Sequence, residues 1–176
     1  RLLLVADEVK HRRLDRALGW LAVKGEGGDL AFLAPLLSAW DAAEQGDADK
    51  ALATIAQVPT NGLLAPLRAE EQALILLKLK RTADAEPFAR RAIGSAGGRE
   101  TRVRLAFADA FLAAGDKTRA LAMVDGMDDG AAEARQRIQA GKPSGEIIDT
   151  AAKALSAVLT AFGSDLARMQ RAAPPV

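Results

Sequence analysis

Apolar and small residues recur along the chain at spacings of three and four, the period of a helix with one buried face, and short polar or glycine-containing stretches interrupt them. The pattern predicts ten helices, at about 2–11, 14–24, 29–45, 48–58, 63–80, 82–95, 99–114, 117–127, 131–140 and 145–171. Three stretches read as connections: Gly25-Glu26-Gly27-Gly28-Asp29, with Asp29 as the cap of the next helix, Pro59-Thr60-Asn61-Gly62, and Gly97-Gly98-Arg99-Glu100. Pro87 is expected in the first turn or so of its helix, where a missing N–H costs least.

A second periodicity lies over the first. Ala17, Ala51, Ala85 and Ala120 follow one another at steps of 34, 34 and 35 residues, each early in the second helix of a helix-turn-helix unit. The turns before them read Gln45-Gly46-Asp47-Ala48-Asp49-Lys50-Ala51-Leu52 and Ala114-Gly115-Asp116-Lys117-Thr118-Arg119-Ala120-Leu121. In such a turn glycine takes the left-handed conformation that ends one helix, and aspartate accepts from the open N–H groups of the next. Lys80-Arg81-Thr82-Ala83-Asp84-Ala85 and Arg12-Arg13-Leu14-Asp15-Arg16-Ala17-Leu18 keep the phase without the Gly-Asp pair.

The period and the Gly-Asp-x-x-x-Ala-Leu core resemble a divergent tetratricopeptide repeat over roughly residues 1–127. Pro35 and Arg104 stand where that family carries a bulky aromatic. The run Leu36-Leu37-Ser38-Ala39-Trp40 to Gly46-Asp47, and Gly141-Lys142-Pro143 before an alanine-rich helix, also resemble a bacterial group of tetratricopeptide proteins without assigned function. The resemblance implies an all-α right-handed superhelix, an α-solenoid of antiparallel helix pairs, with units at about 1–27, 28–62, 63–97 and 98–127. Residues 128–176 would follow as a helical cap within one continuous domain.

Arrays of this kind bind other molecules along the concave face formed by their first helices. Carried over from the turns at Gly46, Lys80 and Gly115, the ligand-facing positions are Leu33, Leu36, Trp40 and Glu44; Leu67, Glu70, Leu74 and Lys78; Arg102, Leu105, Asp109 and Leu112. An apolar strip edged by charges suits an amphipathic helix from another protein, with Leu36, Trp40, Leu74 and Leu105 as anchors. Core packing between neighbouring repeats is the equally simple reading of Trp40. The lysines and asparagines with which family members clamp a terminal carboxylate are not matched, asparagine being absent from these positions.

The last helix is too long for a repeat. Its apolar stripe runs through Ile148, Ala151, Leu155, Val158, Leu159, Phe162, Leu166 and Met169. Covering the exposed edge of the last repeat is its simplest use; a dimer seam or a plug of the groove are the others.

Composition narrows the chemistry. Hydrophobic residues make up 49% of the 176 but aromatic ones only 4%, and alanine and leucine favour helix over strand. The formal net charge of +1 gives no overall field for nucleic acid or anionic lipid. The absence of cysteine excludes disulfides and thiolate metal sites, and the longest near-apolar stretch, Leu30–Trp40, is broken by Pro35 and too short to span a bilayer. The expectation is a domain in solution, cytoplasmic or periplasmic, with an upstream segment removed, since Arg1-Leu2-Leu3-Leu4-Val5 already reads as the inside of a helix.

The one histidine, His11, sits beside Arg12 and Arg13, and Gly115-Asp116-Lys117-Thr118 lacks both the spacing and the strand of a phosphate loop. The pairs Asp7-Glu8, Glu70-Glu71 and Asp128-Asp129 read as solvated charges, and Arg90, Arg91, Arg99, Arg102 and Arg104 as a solvated or ion-paired face. No metal, nucleotide or covalent cofactor and no enzymatic activity is expected. The sequence points to a protein or peptide segment as partner, with homodimerisation through the last helix, self-association with a filled groove, or carriage of a small apolar ligand as alternatives.

Overall fold

The computed structural model describes residues 1–23, 30–59 and 64–172, apart from the side chains at 165, 166 and 168–172. Over these residues the chain is all-helical. It forms α1 (Leu2–Lys10), α2 (Leu14–Ala22), α3 (Ala34–Glu44), α4 (Ala48–Ile55), α5 (Arg68–Lys78), α6 (Thr82–Ser95), α7 (Glu100–Ala113), α8 (Lys117–Val124), α9 (Ala131–Gln139) and α10 (Ala151–Ala172). Single 3₁₀ turns at Ala31–Leu33, Ala65–Leu67 and Gly97–Arg99 lead into α3, α5 and α7. The Asp29 cap and the Asn61-Gly62 turn lie outside the described residues.

The 34-residue period is written into the backbone. Arg12, Gly46, Lys80 and Gly115 all take positive φ, at 56°, 78°, 59° and 91°. The residue after each donates its N–H back across the helix end, Arg13 to Glu8, Asp47 to Ala42, Arg81 to Leu76 and Asp116 to Phe111, at 2.8–2.9 Å. Together with the bonds that the left-handed residues themselves donate to carbonyls three positions back, these are Schellman closures of the first helix in each pair. The carbonyls of Arg13, Asp47, Arg81 and Asp116 then accept from Ala17, Ala51, Ala85 and Ala120 at 3.0–3.1 Å, opening the second helix. All four alanines are fully buried.

The degenerate turns therefore keep the geometry and lose only the favourable residues. Asp47 and Asp116 cap their helices by accepting from the N–H groups of Lys50 and Arg119, both at 3.0 Å, whereas Arg13 and Arg81 supply no side-chain cap. Lys80 holds a conformation that suits glycine. Lys80→Gly should raise stability by about 1 kcal/mol, and Gly46→Ala, where a Cβ meets open space and only the backbone strains, should lower it by about the same amount. Urea unfolding of the two variants checks both signs.

Helices pack as successive hairpins, α1 on α2, α3 on α4, α5 on α6 and α7 on α8, while α3, α5 and α7 also touch in sequence. Small residues at the crossings allow this closeness. Ala85→Leu should overpack the α5–α6 crossing and cost about 1–3 kcal/mol, read as a lower thermal midpoint.

Three expectations change. Pro87 lies inside α6, past its first turn, so the Ala83 carbonyl goes without its helical donor. The final helix begins at Ala151, and residues 143–150 cross the molecule without helical structure. Pro143 and Gly145 disfavour helix there, Thr150 opens α10 by accepting from the N–H of Lys153 at 3.3 Å, and tertiary partners take up the backbone N–H groups. The cap also differs from expectation. It is α9 that packs on α7 and α8, whereas α10 turns back onto α1 and α3. The stripe of α10 buries Ala151, Ala154, Leu155, Val158 and Ala161. Phe162 meets Phe32 with ring centroids 6.4 Å apart; the Leu166 and Met169 side chains lie outside the described set.

Candidate functional site

The residues predicted to line a groove divide into three groups. Leu33, Leu36, Trp40, Leu67 and Leu74 are buried in the core, with exposures of 0–3%. Trp40 has no accessible surface, and its Nε1 donates to Glu71 Oε2 at 2.7 Å. Glu70 and Asp109 are also buried, at 6% and 3%, while Glu44, Leu105 and Leu112 are half-buried. Lys78 and Arg102 reach solvent.

The chain itself occupies the polar positions. Asp109 on α7 accepts the backbone N–H of Ser144 at 2.7 Å on one carboxylate oxygen and that of Gly145 at 3.0 Å on the other. Glu44 on α3 accepts the N–H of Ala151 at 2.6 Å, capping α10 from a helix more than a hundred residues away in sequence. Between these anchors residues 144–150 pass over α5, where Ile147, Ile148 and Asp149 line a cleft with Leu74, Leu77 and Lys78. The strap and the start of α10 thus lie along the face made by α3, α5 and α7.

Glu70 and Glu71 correct the reading of that pair as solvated. Glu70 Oε2 pairs with Arg99 Nη1 at 3.0 Å, both side chains 8% exposed. Burial pushes the Glu71 carboxyl up from 4.5 to about 8, the neighbouring Glu70 charge adds to this, and the Trp40 hydrogen bond opposes it only in part. A neutral acid at physiological pH fits so dry a site. In a helix, adjacent positions usually include one facing solvent; here a strap covers one side of α5 and neighbouring helices the other.

The arginine cluster is largely ion-paired: Arg90 with Glu86 at 2.7 Å, Arg104 with Glu100 at 2.8 Å, and Arg99 with Glu70. Arg91 stacks over Phe88 at 5.7 Å, and among the described residues Arg102 has no ion-pair partner. His11 stays at the exposed end of α1, its Nδ1 2.8 Å from the Asp7 carbonyl oxygen. Among the described residues no group of three histidine, aspartate or glutamate side chains is placed to hold a metal, and no helix is long and apolar enough to cross a membrane.

Sequence reasoning missed the strap. Its signal was faint: Pro143 and Gly145 beside two isoleucines, with no hint that Asp109 and Glu44 would seize the backbone. The chain is matched by no family model, no curated protein and no solved structure.

Proposed function

We propose that this chain is a divergent tetratricopeptide-like module, a right-handed superhelix of helix pairs, that acts by binding a protein segment rather than by catalysis. In the state described its groove is held shut by its own strap and last helix. The observation that carries this reading is the use of Asp109 and Glu44, two positions the repeat alignment assigns to ligand, to grip main-chain N–H groups at 144, 145 and 151. Carboxylates aimed at backbone donors recognise an extended peptide that leads into a helix, whatever its side chains. An external segment of that form would have to displace the internal one, so its apparent affinity is reduced by the fraction of chains that are open.

The test loosens the strap from its own side and leaves the groove intact. Gly145→Pro removes one donor to Asp109, and Ala151→Pro removes the donor to Glu44 at the first helical position, where proline is tolerated. A labelled synthetic peptide of residues 143–172 should bind the double variant at least about tenfold more tightly than the unaltered chain, each lost charge-assisted bond being worth about 1.5–3 kcal/mol. Equal affinity for both proteins, or none for either, sinks the proposal.

A further inference from the structure

Large hydrophobic side chains reach solvent in one place. Leu3 is 84% exposed, and with Leu4, Trp20 and Val23 it completes the set of exposed large hydrophobic residues among those described. All four lie at the same end of the α1–α2 hairpin, where the Arg1 guanidinium, at the start of α1, donates to the Val23 carbonyl just past α2. The repeat register gives this face a meaning. Leu3 shares its phase with Leu37 and Glu71, one and two 34-residue units further on, and both of those are buried. Glu71 meets the Trp40 indole, so its side of α5 faces α3, the first helix of the preceding hairpin. The corresponding side of α1 is open at Leu3.

We infer that this end of the α1–α2 hairpin is a stacking face for a second copy of the chain, the two copies meeting about a twofold axis. Hairpin against hairpin is the contact that the chain already makes along its length, α3 on α5 and α5 on α7. Head-to-tail growth would need an apolar face at the opposite end. There α9, which packs on α7 and α8, turns Glu133, Arg135, Gln136, Arg137 and Gln139 to solvent. An apolar end facing a polar one stays poorly covered, whereas the same end of a second copy matches it, and such an isologous contact closes at two chains. The charged residues exposed on the hairpin are of both signs, Lys10, Arg12 and Arg16 with Asp7 and Asp15, so a twofold partner sets opposite charges within reach of each other around the apolar centre. Area sets the strength. A standard interface takes about 800 Å² from each partner, and four side chains supply only its centre, which puts the dimer in the micromolar range. The strap-covered face belongs to α3, α5 and α7, so the inference stands whether or not a peptide displaces the strap.

Sedimentation velocity of the full chain at about 1–500 μM tests this, the range over which a micromolar dimer assembles. The weight-average mass should rise to that of two chains and stop there. Leu3→Asp and Val23→Asp, both at positions open to solvent, should each weaken association at least tenfold and leave the thermal midpoint of the dilute monomer unchanged. The inference is overturned if the chain stays monomeric, if the mass climbs past two chains as head-to-tail stacking requires, or if both substitutions leave association as it was. A monomeric chain that instead sediments with phosphatidylglycerol vesicles, and loses this with Leu3→Asp, gives the face to a lipid surface and overturns the inference as well. Failure of the peptide in the preceding experiment alters none of these outcomes.

Discussion

Trp40→Ala should lower the stability of the chain by about 3–5 kcal/mol, roughly 10 °C or more in thermal midpoint for a protein of this size. The side chain is fully enclosed among α3, α5 and their neighbours, so its removal leaves a void that rigid helix pairs close only in part. It also strips Glu71 of its indole donor. Trp40→Phe separates the two losses: it keeps most of the apolar volume, and the remaining deficit reports the orphaned carboxyl. A Trp40→Ala chain that unfolds like the parent would mean that this residue lies on an open surface after all. The same result bears on any partner, because weakened binding by Trp40→Ala tells of a lost contact only when folding has been shown to survive.

Glu71→Gln should change the pH dependence of stability and, at alkaline pH, its magnitude. In the folded chain Glu71 titrates near 8, against 4.5 when unhindered. Between those values the folded state keeps a proton that the unfolded state has released, so the unfolded state binds fewer protons and stability falls as pH rises. At its steepest the loss is about 1.4 kcal/mol per pH unit for this one proton, and it is complete once pH passes the folded value. Glutamine keeps an oxygen for the Trp40 indole and has no proton to lose. The variant should therefore match the parent near pH 5, exceed it near pH 8, and show a flatter profile between. Glu70, whose charge adds to the upward push on Glu71, is itself ion-paired with Arg99. Urea midpoints measured at pH 5, 6.5 and 8 decide the matter; parallel profiles for parent and variant would show that Glu71 is not buried as an acid.

The helix pairs were legible because their signals are local. Spacing by threes and fours marks an apolar face, and a small residue every 34 positions marks a crossing. The left-handed turn at each helix end is legible where glycine occupies it, at Gly46 and Gly115. It is visible only by phase at Arg12 and Lys80, where the fold imposes a conformation that the residue itself disfavours. Trp40 shows the limit of such reading: a wheel places it on the first-helix face, but whether that face meets solvent depends on what else lies there.

The sequence by itself determined the all-helical architecture, the register of the four hairpins and the capping of two of them by aspartate. Each follows from interactions among residues a few positions apart. Tertiary structure alone decided that Asp109 and Glu44 bind the strap, that Glu70 and Glu71 are buried, and that α10 lies against α1 and α3 instead of covering the last repeat. The physical reason is that a carboxylate accepting a backbone N–H imposes no side-chain pattern on the donor segment. Any residue but proline carries that donor, so contacts joining positions 35 and 107 residues apart leave no mark in the sequence to be read.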